Sequence, residues 1–359
     1  MSTQSILEQL SNEDYLVRKD AVSKFRNAPK EDLEKLFQKV AEDFNHEVRE
    51  AAAEEILIYP IMYRVFIGDP DPKVRISIVN KSVEIKNLLG PMEQVIDQLK
   101  VLENDPVAEV RCAFARILYQ HVNKEPTQEN MDFVVSKLVP IIDKLLSDRN
   151  DDVKICVSLN IKELTIIFGF DFIFEKLYSS LHHMLTDLQW RVRNNAVELL
   201  FGLALVCSSD FFDANLNHFL LEFLKDPCYK VRQFALSSLP TLAAKFGEKW
   251  LKEKLVPGLK ELAESQNFLH RATYLHAVSA LVSFFPVQYQ SNYVFQPMIR
   301  MLKDSVSNVV LLSIELLKKH KDSIHPFRRQ YELKPILESL VENSPPTVKQ
   351  HANDLLSKC

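Results

Sequence analysis

The stretch Asp226-Pro227-Cys228-Tyr229-Lys230-Val231-Arg232 holds the pattern that decides the fold. A small polar residue, four variable positions, a Val and a basic residue lead into a run rich in Ala, Val and Leu. The Val-equivalents recur ten times, at Val17, Val48, Val74, Val110, Val153, Val192, Val231, His270, Val309 and Val348. From Val153 to Val348 the interval is a constant 39 residues, and before that it runs 31, 26, 36 and 43. A fixed period of this length marks stacked supersecondary units.

The polar mark five residues before each Val reads Asp148, Asp187, Asp226, Ser265, Asp304 and Asn343 in the regular part. It reads as a helix start, because such side chains accept hydrogen bonds from first-turn N–H groups and an Asp suits the positive end of the helix dipole. The prolines of Asp69-Pro70, Asp105-Pro106 and Asp226-Pro227 fit a first helical turn, where a missing N–H costs nothing. Before each mark lies another amphipathic stretch, such as Lys254-Leu255-Val256-Pro257-Gly258-Leu259-Lys260-Glu261-Leu262-Ala263. Each unit is therefore helix A, a tight turn and helix B. Pro140, Pro257, Pro297 and Pro335 fall at nearly one register of helix A, where a proline bends the helix or marks its first turn.

Two such helices bury too little apolar surface to stand alone, so the units must stack. The expected fold is all-α, an α-α superhelix of about ten two-helix repeats forming a curved rod with a continuous core and two long edges. Residues 1–130 make its irregular N-terminal part and 131–359 its regular array, as one continuous solenoid. The 26-residue interval between Val48 and Val74 is short for a complete helix pair.

Composition agrees. Only 6 Gly occur in 359 residues, which starves hairpins of turn residues. With 44 basic against 48 acidic residues, the formal charge of -4 argues against a chain built to grip phosphate backbones. No apolar run approaches the roughly 20 residues of a membrane span, and Met1-Ser2-Thr3-Gln4 lacks the features of a signal peptide. The expectation is a protein of the cytosol or nucleus, with neither nucleic acid nor membrane as partner. The cysteines at 112, 156, 207, 228 and 359 are scattered without a C-x-x-C pair, so reduced thiols are expected, with Cys359 terminal and exposed but inert.

Catalytic patterns are missing. The sequence has no G-x-x-x-x-G-K-[S/T], no G-x-S-x-G and no kinase-like set. One His-Glu pair, His46-Glu47, has too few ligands for a metal, and His182-His183 has no Cys or carboxylate at ligand spacing. A non-enzymatic protein without metal or cofactor is expected, one that offers surface rather than a pocket.

One column of the array carries that surface. Two residues before the Val mark stand Asp151, Trp190, Tyr229, Phe268, Ser307 and Pro346. The position follows a polar turn and precedes the first buried Val, so its side chains should face out. Aromatics one repeat apart, near the helix packing distance of about 8–10 Å, would form a ladder of interface anchors.

The D-x-x-x-x-V-[R/K] mark between paired helices, with a proline in helix A, is similar to the HEAT repeat over essentially the whole chain. Trp190-Arg191-Val192-Arg193, Phe211-Phe212-Asp213-Ala214-Asn215-Leu216-Asn217, Lys245-Phe246-Gly247-Glu248-Lys249-Trp250, Phe268-Leu269-His270-Arg271 and Leu333-Lys334-Pro335-Ile336-Leu337-Glu338 add a narrower likeness. In that order they resemble the last five repeats of the scaffold (A) subunit of protein phosphatase 2A. That family has about fifteen repeats, so the chain looks like a shortened relative. The resemblance implies a non-catalytic scaffold that tethers a serine/threonine phosphatase catalytic subunit and a regulatory (B-type) subunit, the latter on the N-terminal repeats. Carried residue by residue, it places the catalytic-subunit contacts at Trp190, Arg191, Tyr229, Lys230, Phe268, Arg271, Val306 and Ser307. It departs at Val310, where the family commonly has Arg.

The basic residue after each Val mark (Arg18, Arg49, Arg75, Arg111, Lys154, Arg193, Arg232, Arg271 and Lys349) resembles the HEAT side chain that pairs with the marking Asp of a neighbouring repeat. A structural ladder is therefore expected, with Arg271 serving both ladder and partner. The rival reading is a HEAT adaptor of transport or chromosome-associated complexes, for which acidic and Asn-rich inner helices in register are not seen. HEAT-like hydroxylases and DNA glycosylases would need repeated His-Glu pairs or a basic channel.

Overall fold

The structure, a computed structural model, describes residues 2–90 and 92–358. Met1 and Cys359, on which the expectations about the N-terminal start and the terminal thiol fall, lie outside the described residues. Helices and turns alone are found among those described. Each of the ten Val marks is the third residue of the second helix of a pair, from Tyr15–Ser23 through Trp190–Ala204 to Pro346–Leu356. Eight of the ten are buried, while Val17 and His270 are half-covered. The mark is thus the point at which each helix B enters the core.

The chain forms two compact units, one ending at Ala196 and the other starting at Val197. In the first, Phe25 and Phe37 meet edge-on at 5.2 Å and Phe37 meets Phe66 at 6.4 Å. In the second, Phe212, Phe246 and Trp250 pack with ring centroids 5.1–6.0 Å apart. Such aromatic contacts add to the area burial that joins one pair to the next.

The short interval is an incomplete repeat. Between His46–Glu54 and Pro72–Leu89, helix A is reduced to the 3-10 turns Ile56–Ile58 and Pro60–Met62 and the single α turn Tyr63–Phe66. The chain between the two long helices is too short for another full helix and its connections.

The helix-A prolines bend the ladder. Pro140, Pro257, Pro297 and Pro335 are each the second residue of an α segment that follows a five-residue π turn. At the junctions Val139, Val256, Gln296 and Lys334 donate to carbonyls five residues back. A proline ring collides with the carbonyl four residues before it and donates no N–H. Widening the helix by one residue relieves both, and the proline ends up within helix A rather than opening it.

Three of the six glycines share a register that the periodicity alone does not reveal. Gly90, Gly169 and Gly247 each stand 16 residues after a Val mark, with φ of 102°, 86° and 81°. A left-handed residue ends a helix at little cost only when it lacks Cβ. Gly247 accordingly separates helix B of one pair from the start of the next helix A inside the segment Tyr229–Trp250.

The marking Asp works differently from the expectation. It is not the residue that caps helix B. Asp43, Asp69, Asp105, Asp148, Asp187, Asp226 and Asp304 each accept from the N–H two residues on, at 2.7–2.9 Å, which closes the interhelical turn. The helix cap is that later residue, as in Asn45, Asp71 and Asn150, whose side chains accept from Glu47, Lys73 and Asp152. Pro70, Pro106 and Pro227 therefore sit in the turn, before the helix and not in its first turn.

The same carboxylates receive the basic residue of the preceding repeat, as the ladder reading holds, with Oδ1 shared between the turn N–H and the Arg Nη2 and Oδ2 taking Nε. Arg18–Asp43, Arg49–Asp69, Arg75–Asp105 and Arg111–Asp148 are bidentate, with Nε at 2.6–2.7 Å and Nη2 at 2.8–3.0 Å. Lys154 reaches Asp187 at 2.7 Å, and Arg271 repeats the bidentate form on Asp304 in the second unit. Each Arg Nη1 also donates to the backbone carbonyl of its own repeat's mark, as Arg75 does to Asp69 at 2.6 Å. One guanidinium thereby fastens a turn to its helix and to the next repeat.

A buried histidine makes the first unit sensitive to acid. His121 is fully buried, with Nε2 3.0 Å from Ser82 Oγ and Nδ1 without a hydrogen-bond partner. Burial, aided by the charge of Lys86, pushes its pKa down to about 3. The folded protein holds it neutral, so its contribution is complete above the unfolded pKa of about 6.5 and is lost as pH falls towards 3. At about 1.4 kcal/mol per pH unit, roughly 2 kcal/mol disappears between pH 7.5 and 5. Urea unfolding of wild type and His121→Asn at both pH values measures this. An equal pH loss in the two proteins would refute the assignment to His121.

Candidate functional site

The column that the sequence singles out is the first residue of helix B. Asp151, Trp190, Tyr229, Phe268, Ser307 and Pro346 each open their helix. The turn closed by the marking Asp and the buried Val two positions later leave this residue pointing away from the core. Trp190, Tyr229 and Phe268 are 38%, 63% and 39% exposed. Large apolar rings held this open are the residue types that anchor protein partners.

Trp190 and Arg191 belong to the first unit, where Arg191 pairs at 2.7 Å with exposed Asp152. Tyr229, Phe268 and Ser307 belong to the second. Their helices, Tyr229–Trp250, Phe268–Ala280 and Ser307–Lys319, pack side by side in chain order, so the three residues line one edge of that unit. Asn267 accepts from the Leu269 N–H at 3.0 Å and caps the helix that Phe268 opens. Val306 is half-covered in the next turn and Ser307 is exposed beside it. Lys230 is exposed next to Tyr229.

Arg271 is committed to the ladder. Its Nε and Nη2 hold Asp304, and its Nη1 donates to the carbonyls of Ser265 at 2.8 Å and Gln266 at 3.0 Å. The bond to Asp304 holds its pKa above the usual guanidinium value. Val310, at the following basic position, is buried, and the ladder lapses there.

The sequence reading missed apolar residues directly after the marking Asp. Leu188 is 96% exposed, and Phe44 lies under the Arg18 guanidinium at 4.3 Å. The available signal was their place inside a polar turn, a position filled by proline in three other repeats.

Among the described residues no group of three or more His, Cys, Asp or Glu is placed to hold a metal ion. His46 Nδ1 lies 3.9 Å from Asp71, and His182 and His183 are exposed on helix A. Cys112 is buried beside Cys156, and burial with that neighbour pushes its thiol up to about 12, far from a reactive thiolate. A cavity of about 360 Å³ in the second unit is walled by Leu259, Val278, Leu281 and Phe285, with Lys260, Glu264 and Arg300 among its polar lining residues. No described helix is long and apolar enough to cross a membrane.

Comparison with known proteins gives the fold a family context. The model of a family described as Cnd1, non-SMC mitotic condensation complex subunit 1, matches residues 157–319. No curated protein matches the sequence. The structure is similar to that of Kap121p, with a TM-score of 0.69 and 16% identity over 98% of this chain and 40% of Kap121p. It is similar also to importin beta, with a TM-score of 0.61 and 14% identity over 98% of this chain and 48% of that one.

The chain is a HEAT-repeat α-solenoid. It spans less than half the length of these structural neighbours, and at such identity the likeness concerns the fold. Its stacked helix pairs and its Arg–Asp ladder agree with that fold.

Proposed function

We propose that the chain is a protein-binding HEAT adaptor of a chromosome-associated or transport complex. The observation that carries the binding role is the helix-start edge of the second unit, where Tyr229 and Phe268 stand exposed on adjacent repeats. The match of residues 157–319 to the condensation-complex family supports the chromosome-associated form. Both aromatics fall inside that span. Holding partners together on one chain raises their effective concentration for one another.

A second reading keeps the phosphatase scaffold. It is favoured by the exposure of Tyr229 and Phe268 at the helix-start positions where the resemblance places the catalytic-subunit contacts. On it, Trp190, Arg191, Lys230, Val306 and Ser307 complete the contact and the N-terminal repeats take a regulatory subunit.

Affinity purification with partner identification, followed by titration of the purified partner, separates the two. Under the leading reading, subunits of a chromosome-associated or transport complex are recovered in stoichiometric amounts. Tyr229→Ala plus Phe268→Ala then weakens binding by at least about thirtyfold, as loss of a hot-spot aromatic costs about 2 kcal/mol or more. Recovery of a serine/threonine phosphatase catalytic subunit instead selects the second reading. Unchanged affinity of the double variant removes the edge from both.

A further inference from the structure

One rung of the ladder is open, and it lies on the same edge. Arg18, Arg49, Arg75, Arg111 and Arg271 each direct Nε and Nη2 onto the Asp of the following repeat. Arg232 occupies the identical position, and its Nη1 makes the usual bonds to the carbonyls of Asp226 at 2.6 Å and Pro227 at 3.1 Å. The following repeat, however, carries Ser265 where the others carry Asp. Its hydroxyl lies 3.0 Å from His270 Nδ1. No described residue accepts from the Nε and Nη2 edge of Arg232, although the side chain is only 7% exposed.

The carbonyls satisfy Nη1 alone, and the Nε and Nη2 edge is not fully buried, so an acceptor arriving from solvent can reach it. The ring of Tyr229 lies 5.8 Å from Arg232 Cζ and supplies a weak cation–π contact. What the site lacks is a carboxylate with two oxygens in the plane of the fork, as five sister sites have. Phe268 opens the helix that follows Ser265.

We propose that Arg232 is the specificity residue of this edge, receiving an Asp or Glu side chain of the partner in place of the missing ladder carboxylate. The partner segment is acidic with apolar neighbours: its carboxylate enters the fork, and its apolar side chains cover Tyr229 and Phe268. The inference rests on reading the edge as a docking surface. A bidentate Arg–carboxylate pair adds directionality to the otherwise unspecific burial of the aromatics.

Ser265→Asp tests it, because an Asp there completes the rung from within the chain. The probes are a fluorescent Glu-Leu-Glu-Leu-Glu peptide, blocked at both ends, and its Gln-Leu-Gln-Leu-Gln counterpart. They are titrated against the full chain at low salt by fluorescence anisotropy. Wild type should bind the Glu peptide at least about tenfold more tightly than the Gln peptide, the scale of hydrogen bonds to a charged group. Ser265→Asp should remove that preference while raising the unfolding midpoint by about 2–4 °C. Arg232→Gln should remove the preference without the rise in midpoint, so the test survives if one variant folds poorly.

Equal binding of the two peptides by wild type, or an undiminished preference in Ser265→Asp, overturns the proposal. The edge itself is read separately. If Tyr229→Ala plus Phe268→Ala abolishes partner binding while Ser265→Asp leaves it intact, the docking surface stands and the open rung is not its specificity element. If neither changes binding, both fall.

Discussion

Arg75→Met is expected to lower the unfolding free energy by about 3–5 kcal/mol, the cost of removing one partner from a buried ion pair. Arg75 and Asp105 are both nearly covered, and the two bonds between them measure 2.6 and 2.8 Å. Without the guanidinium, the Asp105 carboxylate keeps the N–H of Val107 but no cation at its other oxygen. The carbonyls of Asp69 and Pro70 lose their donor as well. Arg75→Met combined with Asp105→Leu should recover part of the loss, because no buried charge is then left alone. Lys154→Met offers the contrast. Its partner Asp187 is more exposed and takes one bond rather than two, and the second pair with Asp151 is long at 3.6 Å, so about 1 kcal/mol is expected. Urea unfolding followed by circular dichroism decides the matter. Equal losses for Arg75→Met and Lys154→Met would mean that burial does not set the strength of the rungs.

The ladder also shows where the sequence could be read and where it could not. The 39-residue register located helix B because one residue per repeat, the buried Val, must reach the core at a fixed place. It assigned the Asp to the helix terminus because an Asp before a helix ordinarily caps it. Here two polar residues share the work: the Asp closes the turn and receives the Arg, while the cap falls two positions later at Asn150 or Asn267. The recurring Asp hides this, because the capping position is polar in only some repeats and is Val107, Cys228 or Val306 in others. The collapsed helix before Pro72 could be suspected from its interval but not drawn. The π turns were invisible, because they arise from how each proline clashes with the turn before it.

The helix-start column was legible for the same reason as the Val mark. Two residues upstream of a buried position, after a tight turn, a side chain has no core to enter, and Tyr229 and Phe268 are exposed accordingly. The open rung at Arg232 needed the structure. The sequence shows Ser265 in place of Asp, but only the structure shows that Arg232 keeps its Nη1 bonds while no described residue accepts from its Nε and Nη2. A departure from a repeat pattern is silent until the consequence for its neighbour is known.

Trp250→Ala should cost the second unit about 3–5 kcal/mol, the range for deleting a large buried aromatic. Its ring packs against Phe246 and Phe212 at 5.1 and 6.0 Å, and its Nε1–H donates to Asp213 at 2.8 Å. The residue stands just after the left-handed Gly247, where helix A of the next repeat begins, so it fastens that start to the helix holding Asp213. Trp250→Phe keeps most of the ring contact and loses the donor. Asp213 retains Lys254 at 3.3 Å, which limits the penalty to about 1–2 kcal/mol. Gly247→Ala, forced into a left-handed conformation that disfavours any Cβ, should cost a similar 1–2 kcal/mol. Denaturant unfolding of the three variants should therefore rank Trp250→Ala well above the other two. If Trp250→Phe proved as damaging as Trp250→Ala, the hydrogen bond to Asp213, and not ring burial, would be what secures the junction.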